Sequence, residues 1–124
     1  MDFARRDFTA GMLALGACAT APEGPHMYGL IGKMNAAPGQ RDALIAILLE
    51  GTGEMPGCLS YIVATDPADA DGIWVTEVWD SQASHQGSLS LPAVQQAIAR
   101  ARPIIAGFGQ RTETAPVGGV GLRA

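Results

Sequence analysis

Cationic charge is scarce in this sequence. Lys33 is the sole lysine, and eight Lys+Arg stand against twelve Asp+Glu, for a net charge of −4 and a pI near 4.9. Such a chain has no cationic surface to neutralise a phosphate backbone, which argues against nucleic-acid binding. Histidine and cysteine are as sparse. His26 and His85, Cys18 and Cys58 lie far apart, no cluster has zinc-ligand spacing, and a protein-ligated metal site is not expected. Charged residues make up only 16%, whereas hydrophobic ones reach 48%, so the chain can bury a core and disorder is not the default. Its 124 residues leave room for one domain but not for a multi-domain enzyme or a large cofactor scaffold.

The first 26 residues read as an address rather than as part of the domain. Arg5-Arg6 is followed by Phe8, then by a weakly apolar run from Thr9 to Cys18 and a small-residue stretch ending in Pro22-Glu-Gly-Pro25-His26. That layout is that of an export signal, with an apolar run too short to span a bilayer as a permanent helix. The arginine pair resembles a twin-arginine signal, and Leu15-Gly16-Ala17-Cys18 resembles a lipoprotein box in which Cys18 would be acylated. Cleavage after Ala17-Cys18-Ala19, or an amphipathic helix over 3–17 packed on the domain, are the alternatives. The expected product is periplasmic or anchored to the membrane through its N-terminus alone. The expected boundaries are 1–26 for signal and tether, 27–115 for the domain and 116–124 for a glycine-rich tail that is mobile or reaches a partner subunit. With Cys18 acylated, Cys58 would be a lone thiol, expected to be buried as a small hydrophobe.

Within the domain, Tyr28–Met34 reads as a strand that stops at Asn35-Ala-Ala-Pro38-Gly39. Helix formers fill 40–50, with Leu44, Ile47, Leu48 and Gly51 on one face and Ile45 and Leu49 widening it, before Gly53 and Pro56-Gly57 end the helix. Cys58–Thr65 alternates as a strand, placing Leu59, Tyr61 and Val63 opposite Cys58, Ser60 and Ile62. Asp66–Gly72 is a turn. Aligned as a calcium loop, it would put Pro67 and Val78 at ligand positions, which rejects that assignment. In the next strand Ile73, Val75, Glu77 and Trp79 face one way, and Trp74, Thr76 and Val78 the other. Ser81 can cap a short helix to about Leu89, and Pro92 starts a better one with Val94, Ala97, Ile98 and Ala101 in register. Pro103 should end it, and Phe108–Thr114 reads as the last strand. The order β-α-β-β-α-β predicts a ferredoxin-like α+β sandwich with helices on one sheet face. The uncovered face, with Trp74, Thr76 and Val78, predicts a homodimer formed sheet on sheet.

Together, the Pro38-Gly39 before the first helix, the Met55-Pro56-Gly57-Cys58 lead-in to the second strand, and Glu77-Val78-Trp79 followed by a short helix and Leu91-Pro92 resemble the antibiotic biosynthesis monooxygenase superfamily. The resemblance spans 27–115 and implies a dimeric α+β barrel with a pocket between sheet and helices. It also implies the range of activities in that superfamily: cofactor-free oxygenation of anthrones and quinols, haem degradation, or none known. Trp79 matches the strand-end tryptophan that lines the pocket. Gly32 and Leu89 stand where haem-degrading members resemble one another in carrying asparagine and histidine, so haem breakdown is disfavoured. Where the anthrone-oxidising branch has a tyrosine and an asparagine, this chain has His85 and Val75. His85 can replace the tyrosine as a base; Val75 cannot replace an amide.

Cofactor-free oxygenation suits an electron-rich phenol, because deprotonation makes it a reductant able to pass one electron to O₂. The protein then needs an apolar pocket, a base and a group that holds the anion. His85 carries the side chain that titrates nearest neutral pH, although it is equally placed to be a surface residue between Ser84 and Gln86. Glu77 shares a strand face with Trp79, where a carboxylate either acts as a base or forms an ion pair with Arg41, Arg100 or Arg102. The ion pair is the stronger expectation. Trp79 is a ring platform or a core filler, Tyr61 a pocket hydroxyl or a packing aromatic, and Arg100 a phenolate holder or a solvated helix residue. Two functions follow: a cofactor-independent monooxygenase acting with O₂ on a quinol-like or polycyclic phenol, with His85 as base, or a non-catalytic dimeric module that binds a small apolar ligand or scaffolds a partner.

Overall fold

In the computed structural model, residues 26–123 are described. The Arg5-Arg6 signal, Cys18 and most of the proposed tether lie outside the described residues, so export and acylation stand as expectations from the sequence. The elements run β1 (Tyr28–Ala36), α1 (Arg41–Gly51), β2 (Cys58–Thr65), β3 (Gly72–Trp79), α2 (Gln82–Ser88), α3 (Pro92–Ala101), a 3₁₀ turn (Arg102–Ile104) and β4 (Ile105–Thr114). The four strands form one antiparallel sheet in the order β2-β3-β1-β4. This is the ferredoxin-like α+β fold expected from the element order.

Period-two alternation along β3 turns Ile73, Val75, Glu77 and Trp79 toward the helices, where all but Glu77 are buried. On β2 the alternation breaks. Cys58 pairs with Trp79 but Ser60 pairs with Val78, leaving Leu59 as an extra residue in a bulge. The bulge brings Cys58 and Tyr61 to the same inner face, correcting the strict alternation that separated them. Burial raises the pKa of the half-buried Cys58 thiol, partly offset by the Ser60 backbone, so it stays protonated at neutral pH and donates to the Ser60 carbonyl at 3.5 Å. The last strand begins at Ile105, three residues earlier than its sequence suggests, because Ile105 already pairs with Ala36.

Helix α1 buries Leu44, Ile47 and Gly51 against the sheet and α3. Leu49, expected to widen that face, is 54% exposed because neither neighbour reaches round the helix far enough to cover it. Ser81 caps α2, its hydroxyl accepting from Ser84 N–H at 3.1 Å. Pro92 occupies the first turn of α3, and Pro103 converts its end into the 3₁₀ turn. The core is in two parts. One gathers Leu44, Ile47, Ile73, Val75, Ala97 and Ala101; the other holds Met55, Trp79 and Val94; and Tyr61 packs against both.

A polar staple fastens the β2–β3 turn to the outer sheet face. Lys33 Nζ meets Asp66 at 3.0 Å and Asp69 at 3.1 Å, Trp74 Nε1 donates to Asp66, and Asn35 Nδ2 donates to Asp69. Trp74 is therefore partly covered by its own chain, which reduces the apolar area expected on this face. The chain after β4 also returns to its own sheet: Pro116 approaches Gly29, and Arg123 N–H donates to the Leu59 carbonyl at 3.0 Å. A Cβ on Gly29 would lie 2.9 Å from Pro116 Cγ, so the absent side chain is what admits the tail.

Two predictions follow from this packing. A Cβ added to Gly51 would lie 2.4 Å from Ala97 Cβ, so α1 and α3 approach only because Gly51 has no side chain. Gly51→Ala should lower stability by about 1–2 kcal/mol despite alanine's better helix propensity, read as a lower midpoint in urea unfolding; an unchanged midpoint would mean that the helices part without cost. The second concerns acid. The hydrogen bonds from Asn35 and the Asp71 amide, with Lys33 beside them, hold the Asp69 carboxyl down at about 2, below its ordinary 3.8. A depressed folded-state value adds stability above the ordinary range and loses it as pH falls through about 2. Asp69→Asn should therefore destabilise at neutral pH and flatten the fall of thermal midpoint between 3.8 and about 2.

Candidate active site

Register places the site. Tyr28 on β1 stands directly opposite Trp79 at the end of β3, and Tyr61 on β2 stands opposite Glu77. The bond from Asp80 N–H to the Gly57 carbonyl, 2.8 Å, and the Ser81 cap then start α2 immediately beyond the strand. One turn into that helix, His85 lies over both aromatics. Its ring centroid is 5.5 Å from Trp79 in an edge arrangement at 73° and 5.4 Å from Tyr28 at 40°. The helix reinforces the placement, since Ser88, buried three residues on, donates its hydroxyl to the His85 carbonyl at 2.6 Å.

Glu77 is the carboxylate of the group. Its Oε1 accepts from Trp79 Nε1 at 2.9 Å and lies 4.0 Å from His85 Nε2, and the two acid–base side chains are only 18% and 14% exposed. A separation of 4.0 Å is too long for a hydrogen bond, so both groups retain capacity for a third polar atom. His85 Nδ1 is buried with no partner among the described residues, a costly condition for a histidine kept only for packing. The Tyr61 phenol is raised well above its ordinary range, first by burial and then by the negative charge of Glu77. At neutral pH it is a hydroxyl that can donate, not a base.

These side chains open into one cavity of about 650 Å³ between the sheet and the helices. Its walls are mostly apolar, with Met34, Leu48, Met55, Leu89, Val94 and Phe108 among them. Such a volume suits a ligand of two to four fused rings. His85, Glu77, Trp79 and Tyr61 all line it. Arg100 does not. Its guanidinium pairs with Glu50 at 2.7 Å, with both side chains more than half exposed, on the outward side of α3. The arginine at the cavity is Arg102, brought there by the 3₁₀ turn. The expected ion pair of Glu77 with an arginine is likewise replaced, by the contacts to Trp79 and His85. Tyr28, Ser88 and Phe108 complete the surroundings without having been singled out as site residues from the sequence, and of these only Ser88 left a trace there, at helical spacing from His85. Arg102 was named there only as an ion-pair partner for Glu77.

The family model for antibiotic biosynthesis monooxygenase matches residues 27–100. A crystal structure of a protein ascribed to the same family, from Chloroflexus aurantiacus J-10-fl, is 68% identical, with a TM-score of 0.76; the match covers 78% of this chain and 99% of that one. Another from Caulobacter crescentus CB15 is 18% identical at a TM-score of 0.68, covering 76% of this chain and 92% of that one. A Pseudomonas aeruginosa protein is 18% identical at 0.67, covering 78% and 100%. The last two show likeness of fold alone. No functionally curated protein matches the sequence. The matched residues run from β1 to the last turn of α3 and include His85, Glu77 and Tyr61, and the chain belongs to the antibiotic biosynthesis monooxygenase family.

Proposed function

We propose that this protein is a monooxygenase acting with O₂ on a quinol-like or polycyclic phenol, and that it needs no cofactor. The observation that carries the proposal is the apolar cavity with His85 Nε2 and Glu77 Oε1 in its wall, 4.0 Å apart and both available to a hydroxyl. A phenol whose hydroxyl enters that gap gives its proton to His85, and the Glu77 carboxylate stabilises the imidazolium that results. The apolar walls keep water from the phenolate, which remains electron-rich enough to pass one electron to O₂. Recombination of the radical pair forms a carbon–oxygen bond. The imidazolium of His85 returns its proton to the peroxide anion, and loss of water from the hydroperoxide then leaves one oxygen atom in a quinone and the other in water, so substrate and O₂ together supply all the atoms and electrons and His85 is restored. Trp79 and the half-buried Tyr61 bound the ring, and the raised Tyr61 hydroxyl serves as a donor to a carbonyl oxygen.

The family resemblance and an incompletely covered sheet face support a homodimer. Ile62 is 57% exposed on the outer face, beside Ile31, Thr76 and Val78, and a second copy laid sheet on sheet would cover them.

Oxygen uptake by the purified protein with a panel of anthrones and hydroquinones under air tests the reaction. His85→Ala should lower the rate by about a hundredfold or more, and Glu77→Gln by less. No uptake above a protein-free control, or uptake unchanged in His85→Ala, would leave a ligand-binding module instead. Sedimentation should give twice the 12.8 kDa chain mass for the unprocessed protein and a shift toward monomer in Ile62→Glu; a single monomeric species in the unmodified protein would refute the sheet-on-sheet dimer.

A further inference from the structure

The described cations are almost all occupied. Lys33 is held by Asp66 and Asp69, Arg41 by the Asp69 carbonyl, Arg100 by Glu50, and Arg111 lies 4.0 Å from Glu113. Arg123 sits at the β2 edge, away from the large cavity. Arg102 differs from all of these: it lines the large cavity, is the only Lys or Arg among the described residues that does so, and has neither a hydrogen bond nor an ion pair there. In a chain with this excess of acid, an exposed arginine left without a carboxylate at the wall of an apolar cavity is free to hold an anion there.

Its place along the cavity can be read from the sheet. The turn that carries Arg102 is tied to the Ala36 end of β1, since the Ile104 carbonyl accepts from Ala37 N–H at 2.8 Å and Ile105 pairs with Ala36. Met34, opposite Phe108, lines that end, whereas Glu77 is opposite Leu30. Four residues of strand separate Leu30 from Met34, which is about 13 Å. The acid–base pair and the free cation thus sit at opposite ends of one apolar space.

We propose that the cavity takes an amphiphilic anion: an apolar ring body with a carboxylate or equivalent oxyanion on the order of 10 Å from the reacting ring, held by the Arg102 guanidinium. Arg102 is then a specificity-determining residue that orients the ligand with its ring toward His85. The orientation of the ring rests on the oxygenation proposed above; the binding of the anion does not.

The test is equilibrium binding of 1-pyrenebutyrate and 1-pyrenebutanol, which share ring and chain and differ in charge, to the full chain by pyrene fluorescence. The acid should bind about tenfold more tightly than the alcohol. Arg102→Gln should abolish that preference while leaving the alcohol within twofold, Arg102→Lys should keep part of it, and Arg100→Gln should keep all of it. Equal binding of the two probes, no binding of either, or a preference that survives in Arg102→Gln would overturn the proposal. Because binding is read without turnover, a preserved preference alongside absent oxygen uptake would sink the monooxygenase reading and leave this one standing.

Discussion

The indole N–H of Trp79, almost fully buried, must have an acceptor, and Glu77 supplies it from two residues earlier on the same strand face. Much else depends on that bond. It places a carboxylate inside an otherwise apolar layer, where an unpaired charge would be costly. The carboxylate in turn has His85 at 4.0 Å, and the imidazole fills the space over the Trp79–Tyr28 pair. Structural need and chemical capacity thus share atoms: the group that satisfies the core tryptophan is also the carboxylate facing the cavity.

The cavity exists because the helical layer meets the sheet at two places rather than continuously. At one end α1 and α3 touch closely, allowed by Gly51 against Ala97, and close over Ile73 and Val75. At the other, Met55 and Val94 cover Trp79. Tyr61 spans the two clusters, and the space left between them is lined by side chains from both. Small residues at Gly51, Ala97 and Ala101 bring the helices together at one end without filling the middle.

Much of the fold was legible before any coordinates. Alternation in 73–79 assigned Glu77 and Trp79 to one face, Pro92 marked a helix start, and the element order implied the sheet topology. What failed had local causes that propensity does not carry. The bulge at Leu59 depends on pairing with β3, the early start of β4 on pairing with Ala36, and the exposure of Leu49 on how far the neighbouring elements extend. The site divides in the same way. His85, Glu77, Trp79 and Tyr61 were named from strand parity and resemblance and meet in one cavity, whereas Arg100 points to Glu50 and Arg102 takes the cavity position. One helical residue is 100° of rotation, and two residues are enough to move a side chain from the solvent side to the cavity side.

The sequence by itself determined the charge character, the order of elements and the face on which each inner residue of β3 lies, because those follow from composition and from a period of two. Only the tertiary structure decided which groups meet across elements. The apposition of Tyr28 and Trp79, the orphaned His85 nitrogen, the distance from His85 to Glu77 and the isolation of Arg102 at the far end of the cavity are consequences of strand register and helix docking. Register and docking are set by packing between segments far apart in the chain, so no local pattern of residues encodes them.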